Sequence, residues 1–370
     1  MKFSCSREIL DKQLGNLSRI VTSRHAVPVL AHILIETDGK IVRLSGTDLE
    51  LAATTYLPAT VEQEGTFTVP ARLFTEFVHQ NPDNELTFYL ESYELVCKGE
   101  RVTARITGLD ADEFPPLPKV EGGKRVMLPA ADFVAAVKQV VIACANDVSR
   151  PVLTGVLLTL AGETATLVAT DSFRLVERTI PILPVVEALT VIIPGRSLQE
   201  VVRIAGNTPN LQDIEVELGE SGAIFRITEV ELYSRLLTGS FPKYQAIIPT
   251  KFAAEADVTT AELVQALRLT ATFGQSGVSN VLIEVDGEGS LSLASYGTKS
   301  GSTKHTIYAV LEEGANPLKA AFNARFLLDA CSAAGSPHVR LQLSGQDTPL
   351  LISIGDLNYT QLVMPIRLDV

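Results

Sequence analysis

The sequence predicts an α+β fold laid down as three tandem copies of one unit. Three observations carry this: a strand-then-helix segment recurring about every 125 residues, hairpin patterns recurring ahead of it, and proline-rich connectors between copies. The recurring segments are Val69-Pro70-Ala71-Arg72-Leu73-Phe74-Thr75-Glu76-Phe77, Ile193-Pro194-Gly195-Arg196-Ser197-Leu198-Gln199-Glu200-Val201 and Phe322-Asn323-Ala324-Arg325-Phe326-Leu327-Leu328-Asp329-Ala330. Each ends a strand, places Pro or Asn at a helix start, then an Arg and an acid four residues later. Pro fits a first helical turn because its φ is already helical and its missing N–H has no partner there. Apolar residues at 73, 74, 77 and 78, and at 198, 201 and 202, form the stripe of a helix lying on a core.

The hairpins come next. Val29–Ile35 and Val42–Asp48 flank Asp38-Gly39; Val152–Leu158 and Leu167–Asp171 flank a turn near Gly162; Ser279–Val285 and Leu291–Tyr296 flank Asp286-Gly287. Alternating β-branched runs around such turns read as antiparallel strands. Each copy opens with a helix, over residues 9–20, 133–141 and 263–269, the last behind a Thr259-x-x-Glu262 capping box. Each closes with strands: 85–89 with 95–98, 214–218 with 223–228, and 339–343 with 350–354. The connectors Phe114-Pro115-Pro116-Leu117-Pro118 and Phe241-Pro242 through Pro249 set the expected domains at 1–121, 122–250 and 251–370. A copy of this size owns a core, unlike a solenoid repeat of roughly 20–50 residues.

Catalytic chemistry is not evident. The chain carries no G-x-x-x-x-G-K-[ST] phosphate loop and no G-x-S-x-G elbow. Gly287-Glu288-Gly289 lacks the third glycine of a dinucleotide fingerprint, and Asp110-Ala111-Asp112 meets Pro115 where a calcium loop needs Gly. Thr47-Asp48 and Thr170-Asp171 recur at one point after a strand, which favours a turn role over a hydrolase with paired carboxylates; the third copy has Ser295-Tyr296 there. Cys5, Cys97, Cys144 and Cys331 lie far apart and read as buried free thiols; the five histidines form no metal-ligand spacing. No metal or cofactor is expected. The amino terminus lacks the apolar core of a signal peptide, and no stretch approaches the roughly 18 apolar residues of a membrane helix, so a cytoplasmic location is expected.

With 31 Lys and Arg against 43 Asp and Glu, the net charge is −12. That disfavours nucleic-acid binding through bulk charge, but not through basic residues gathered on one face. Arg72, Arg196 and Arg325 hold one register in three copies. Arg203 follows on the second helix of its copy, Lys138 and Arg268 lie on first helices, and Arg24 and Arg150 in the turns after first helices. This set is the expected phosphate-facing surface. A repeat scaffold that binds only proteins is the alternative, and it has no need of these arginines together.

With these residues assembled, the chain resembles the bacterial β sliding clamp family from end to end. The carrying motifs are Ser149–Gly155, Val168-Ala169-Thr170-Asp171-Ser172-Phe173-Arg174-Leu175, Ser240-Phe241-Pro242-Lys243-Tyr244 and Val363-Met364-Pro365-Ile366-Arg367-Leu368. The resemblance implies three DNA-clamp domains, helices inside and antiparallel sheets outside, in a head-to-tail homodimer whose ring encircles duplex DNA without reading its sequence. It implies a non-enzymatic processivity factor that a separate ATP-driven loader opens. It also implies a pocket that tethers the replicative polymerase and other partners by short peptides, formed by Leu153, Thr170, Ser172, Phe173, Arg174, Leu175, Pro242, Ile247, Leu362, Val363, Met364, Pro365, Ile366 and Arg367. Ser172-Phe173 stands where the family pattern has Gly-His, and Ala246 where it has Arg. The dimer contact falls at Ala271–Gly274, with Thr272 and Phe273 as interface residues.

Overall fold

The computed structural model of the protein describes residues 1–21, 27–273, 280–286, 290–297, 301–311, 317–355 and 357–367. Arg24, Gly274, Gly287 and Leu368, all singled out above, lie outside them.

The first copy runs β1 (Lys2–Ser6), α1 (Arg7–Leu17), β2 (His32–Asp38), β3 (Ile41–Thr47), β4 (Leu51–Pro58), β5 (Thr60–Gln63), β6 (Gly65–Pro70) and α2 (Ala71–Gln80). It closes with β7 (Glu85–Glu91), β8 (Glu94–Lys98) and β9 (Thr103–Thr107). The second runs β10 (Lys124–Pro129), α3 (Ala130–Val140), β11 (Gly155–Thr170), β12 (Arg174–Pro194) and α4 (Gly195–Gly206), then β13 (Asp213–Leu218), β14 (Gly222–Ile227) and β15 (Val230–Arg235). The third runs β16 (Ala254–Thr259), α5 (Thr260–Thr272), β17 (Asn280–Val285), β18 (Leu291–Gly297), β19 (Gly301–Ile307), β20 (Ala309–Leu311) and β21 (Leu318–Asn323). After it come α6 (Ala324–Ala334), β22 (His338–Leu343), β23 (Leu350–Ile354) and β24 (Leu357–Val363). The repeated helix, strands, helix, strands order is the one the sequence predicts.

The described residues form two compact units, Met1–Ala131 with Glu200–Leu236 and Asp132–Gln199 with Leu237–Val370. Strand pairing explains why the units do not follow the copies. In the first unit one eight-stranded sheet has the order β10-β13-β14-β15-β4-β3-β2-β6, so the last strand of copy two pairs with the fourth strand of copy one. In the second, β11-β12-β24-β23-β22-β16-β20 joins the last strand of copy three to copy two in the same way. The pairings match in register: Leu51 faces Ser234 and Ala52 faces Tyr233 as Arg174 faces Val363 and Leu175 faces Leu362. The remaining sheets are β5-β1-β7-β8-β9 in the first unit and β19-β18-β17-β21 in the second.

Helices lie on these sheets by the stripes read above, with one correction: Leu73, read into the α2 stripe, is 53% exposed, so Ala71, Phe74 and Val78 carry the buried face. Arg72 is exposed too; Leu327, Ala330, Cys331 and Ala334 bury α6. The glycine turns hold, with Gly39 and Gly162 at φ of 59° and 56°. Two local expectations need correction. Val29–Ala31 and Val152–Thr154 are not strand but 3-10 turns behind Pro28 and Pro151. The capping box at Thr259 does not form: Thr259 stays paired to His338 as the end of β16, its side chain caps nothing, and the Glu262 carboxylate accepts the Tyr308 backbone N–H at 3.2 Å.

Thr47-Asp48 and Thr170-Asp171 are turn residues, and the turns are the same. Thr47 Oγ1 donates to the Leu51 carbonyl and accepts the Leu49 N–H, while Asp48 Oδ1 accepts the N–H groups of Glu50 and Leu51. Thr170 Oγ1 likewise donates to the Arg174 carbonyl and accepts the Ser172 N–H, and Asp171 Oδ1 accepts those of Phe173 and Arg174. Each threonine and aspartate satisfies backbone groups that a three-residue strand reversal leaves unpaired.

Burial pushes the thiols of Cys5, Cys97, Cys144 and Cys331 up to about 12. Because only the thiolate is nucleophilic, iodoacetamide at pH 8 is expected to leave all four unmodified in the folded chain and to alkylate all four in urea, as read by intact mass. Asp48→Ala is expected to cost about 1–2 kcal/mol in denaturant unfolding through two lost backbone acceptances; an unchanged midpoint would contradict the turn assignment.

Candidate partner-peptide pocket and basic surface

Within the second unit, the turn between β11 and β12 and the chain after β24 build one surface. Thr170 ends β11 and Leu175 is the second residue of β12; both are buried, as are Leu362 and Val363. The turn then lifts Ser172 and Phe173 into solvent, Phe173 at 63% exposure. Past β24 the Met364 N–H donates to the Phe173 carbonyl at 2.8 Å, and the Ile366 N–H to the Ala321 carbonyl at 2.7 Å. Met364 is thereby fixed beside Phe173 with its side chain part-exposed, while Pro365 and Ile366 are half-buried and Arg367 exposed.

Beneath this edge Val168, Leu175, Tyr244, Leu351 and Leu362 form an apolar cluster, with Leu157, Phe241, Ile248 and Phe252 packed against it. Tyr244 Oη donates to Glu177 Oε2 at 2.5 Å, and burial followed by that carboxylate pushes the phenol pKa up, so it stays a donor. Pro242 and Ile247 of the connector are exposed, and Leu153 is buried in the 3-10 turn after Pro151. All fourteen sequence-predicted pocket residues lie in this unit.

Arg174 is held from three sides. Its Nε donates to Asp171 Oδ2 at 3.0 Å, its Nη1 to Asp329 Oδ2 at 2.7 Å, and its guanidinium sits 4.5 Å from the centroid of the Phe326 ring. A buried guanidinium needs such partners, since an unpaired one is costly to desolvate. Sequence reading missed Phe326 and Asp329 as parts of this surface. The sequence offered Asp329 only as the acid four residues after Arg325, with no sign of Arg174.

The basic set divides. Arg72, Lys138, Arg196, Arg268 and Arg325 are exposed. Arg203 is half-buried and committed: its Nε donates to Glu200, and its Nη1 and Nη2 to the carbonyls of Gly15 and Asn16 in the last turn of α1. That places a cation where a helix dipole favours one and leaves it little to offer a phosphate. Arg150 donates to Ser172 Oγ at 3.3 Å, which brings it to the pocket turn. Thr272 is exposed, and Phe273, half-buried, rests against Gly301 at the start of β19. Among the described residues no group of His, Cys, Asp or Glu could hold a metal ion, and no helix is long and apolar enough to cross a membrane.

Ser172 occupies φ of 76°, a left-handed conformation that L side chains disfavour, as does Leu49 at 74° in the equivalent turn. Ser172→Gly is expected to keep stability within about 1 kcal/mol, and Ser172→Val to lose about 1–2 kcal/mol, its branched Cβ being least tolerant of positive φ. Thermal unfolding of the two variants checks the order.

Models of the DNA polymerase III beta subunit match the chain in three stretches: its N-terminal domain over residues 1–118, central domain over 127–243 and C-terminal domain over 245–367. The beta sliding clamp of Synechocystis sp. is 30% identical over 400 aligned residues that cover all of both chains. The crystal structure of the DNA polymerase sliding clamp from Bacillus subtilis is 27% identical and superposes with a TM-score of 0.95 over 100% of this chain and 99% of that one. The DNA polymerase III subunit beta from Pseudomonas aeruginosa, 25% identical, gives 0.94 over the whole of both. The chain belongs to the β sliding clamp family, the β subunit of bacterial DNA polymerase III.

Proposed function

We propose that this chain pairs head to tail with a second copy and closes a ring around duplex DNA, acting in the bacterial cytoplasm as the non-catalytic processivity subunit. The observation that carries the reading is the open strand edge. Copies one and two are joined by β4 with β15, and copies two and three by β12 with β24; the counterparts left over are β19 of copy three and β9 of copy one, each ending its sheet. Pairing β19 with β9 of a second copy would repeat the same junction. It would also cover edges that otherwise invite aggregation, and a head-to-tail contact that closes gives a ring. Thr272 and Phe273, beside the start of β19, would flank that seam. The proposed domains, 1–121, 122–250 and 251–370, are the copies so joined.

Arg72, Lys138, Arg196, Arg268 and Arg325 would face phosphates, with no base-edge contact to hold the ring at one sequence. This separates a positive lining from an acidic total. Phe173, Ile247, Met364 and Ile366 would anchor partner peptides from the polymerase, the loader and other clamp-binding proteins, Met being adaptable to several shapes. A separate ATP-driven loader would open the ring.

The test is retention on nicked circular DNA after loading with a clamp loader and ATP. Retention that vanishes when the circle is cut is expected. Equal retention on circle and line would mean simple affinity and overturn the ring, and none with an active loader would point to a protein-only scaffold. The combined Arg72→Ala, Arg196→Ala and Arg325→Ala variant is expected to weaken direct DNA binding at low salt by about tenfold. Phe173→Ala with Met364→Ala should weaken partner-peptide binding by about tenfold or more and spare retention; fluorescence anisotropy reads both.

A further inference from the structure

Leu73 and Leu269 are exposed at registers where the chain elsewhere buries one helix against another. Counted from each helix start, the tenth residues of α1, α3 and α5 are Asn16, Gln139 and Leu269. The first two are polar yet only 8% and 7% exposed, and each reaches the second helix of the following copy. The Asn16 carbonyl accepts from Arg203 Nη2 of α4 at 2.8 Å, and Gln139 Nε2 donates to the Ala334 carbonyl of α6 at 3.3 Å. Leu269 is apolar yet 46% exposed. Four residues on, Ile20 and Ala143 are buried, whereas Phe273 is half-buried. A leucine left open at a register that twice buries an amide lacks its covering helix.

The second helices show the complement. The third residues of α2, α4 and α6 are Leu73, Ser197 and Phe326, and the seventh are Phe77, Val201 and Ala330. Ser197, Val201 and Ala330 are buried, and Phe326 reaches back to the preceding copy, its ring centroid 4.5 Å from the Arg174 guanidinium. Leu73 is exposed and Phe77 half-buried. Thus α2 and α5 each carry an apolar pair at i, i+4 spacing outside their buried stripe, Leu73 with Phe77 and Leu269 with Phe273. With α4 joined to α1 and α6 to α3, these are the two helices left over.

The repeat also sets how such a pair would meet. Arg174 begins β12 as Gly301 begins β19, and Phe273 lies against Gly301. Leu73, in the place of Phe326, therefore comes to Phe273. Residue 79 holds the place of Arg203, so Leu269, in the place of Asn16, comes to the last turns of α2 beside Phe77. The charged side chains of the two edge strands are already engaged within their own copy, Arg105 with Glu91 and Glu94, and Lys304 with Glu284.

We infer that the helix side of the seam is closed by apolar contact between α2 of one copy and α5 of a second, Leu73 on Phe273 and Phe77 on Leu269. This rests on the proposed ring and says what holds it shut. The junctions within the chain use hydrogen bonds from Arg203 and Gln139 at these registers; the seam between copies uses apolar area in their place.

The test is the dimer Kd of the full chain by sedimentation equilibrium. Both leucines are exposed in the single chain, so Leu73→Ala and Leu269→Ala should keep the thermal melt of the monomer. Each should weaken a seam about tenfold; a closed ring has two seams, so the dimer Kd should rise about a hundredfold. Ile9→Ala, at an exposed apolar position of α1 outside these registers, should leave the Kd unchanged. Leu73→Ala combined with Phe273→Ala should lose less than the two single changes added, as residues in contact do. A dimer whose Kd does not respond to Leu73→Ala or Leu269→Ala would overturn this inference and leave the ring standing. An equal loss from Ile9→Ala, or strict additivity of Leu73→Ala and Phe273→Ala, would overturn it as well. A chain that stays monomeric at every concentration would overturn the ring itself, and the seam with it.

Discussion

Backbone hydrogen bonding between copies is the constraint on which the rest depends. Among the strands that would end a lone copy's sheets are the one after its first hairpin and its last, each a row of unpaired N–H and C=O groups. Pairing β4 to β15 and β12 to β24 satisfies four of the six such edges within one chain. Everything functional is then placed by that pairing. The turn after β11 and the chain after β24 lie side by side because their strands are neighbours, and the first junction repeats the layout.

Much of this was legible in the sequence because it is periodic. Phe74, Phe77 and Val78 against Arg72 and Glu76 spell a helix on a surface, and Asp38-Gly39 spells a hairpin, without any knowledge of tertiary context. The aspartates at 48 and 171 were legible as turn residues because they recur where a strand ends. What stayed hidden is long-range. Nothing near Arg203 announces that its partners are carbonyls at 15 and 16, and nothing near Arg174 announces Asp329. Thr259 and Glu262 fit a local rule that the structure does not follow: Thr259 stays in β16, and the Glu262 carboxylate takes the Tyr308 amide instead.

The pocket owes its form to a division of labour between backbone and side chain. Thr170 and Asp171 fix the turn, Arg174 is clamped by Asp171, Asp329 and Phe326, and the Met364 amide closes on Phe173. These groups define where the exposed apolar side chains stand, so little ordering cost would fall on binding at the proposed pocket.

The twin Thr-Asp turns have a bearing on how such a protein changes over generations. Their backbone is secured by the side chains of a threonine and an aspartate, which accept the backbone N–H groups of the tips, Leu49-Glu50 and Ser172-Phe173. At Glu50 and Phe173, the tip residues outside the positive-φ positions of Leu49 and Ser172, a substitution alters what the molecule offers to others at little cost to folding. Binding preference can therefore change through one side chain at each turn while the backbone stays as it is, and the chain carries two such turns.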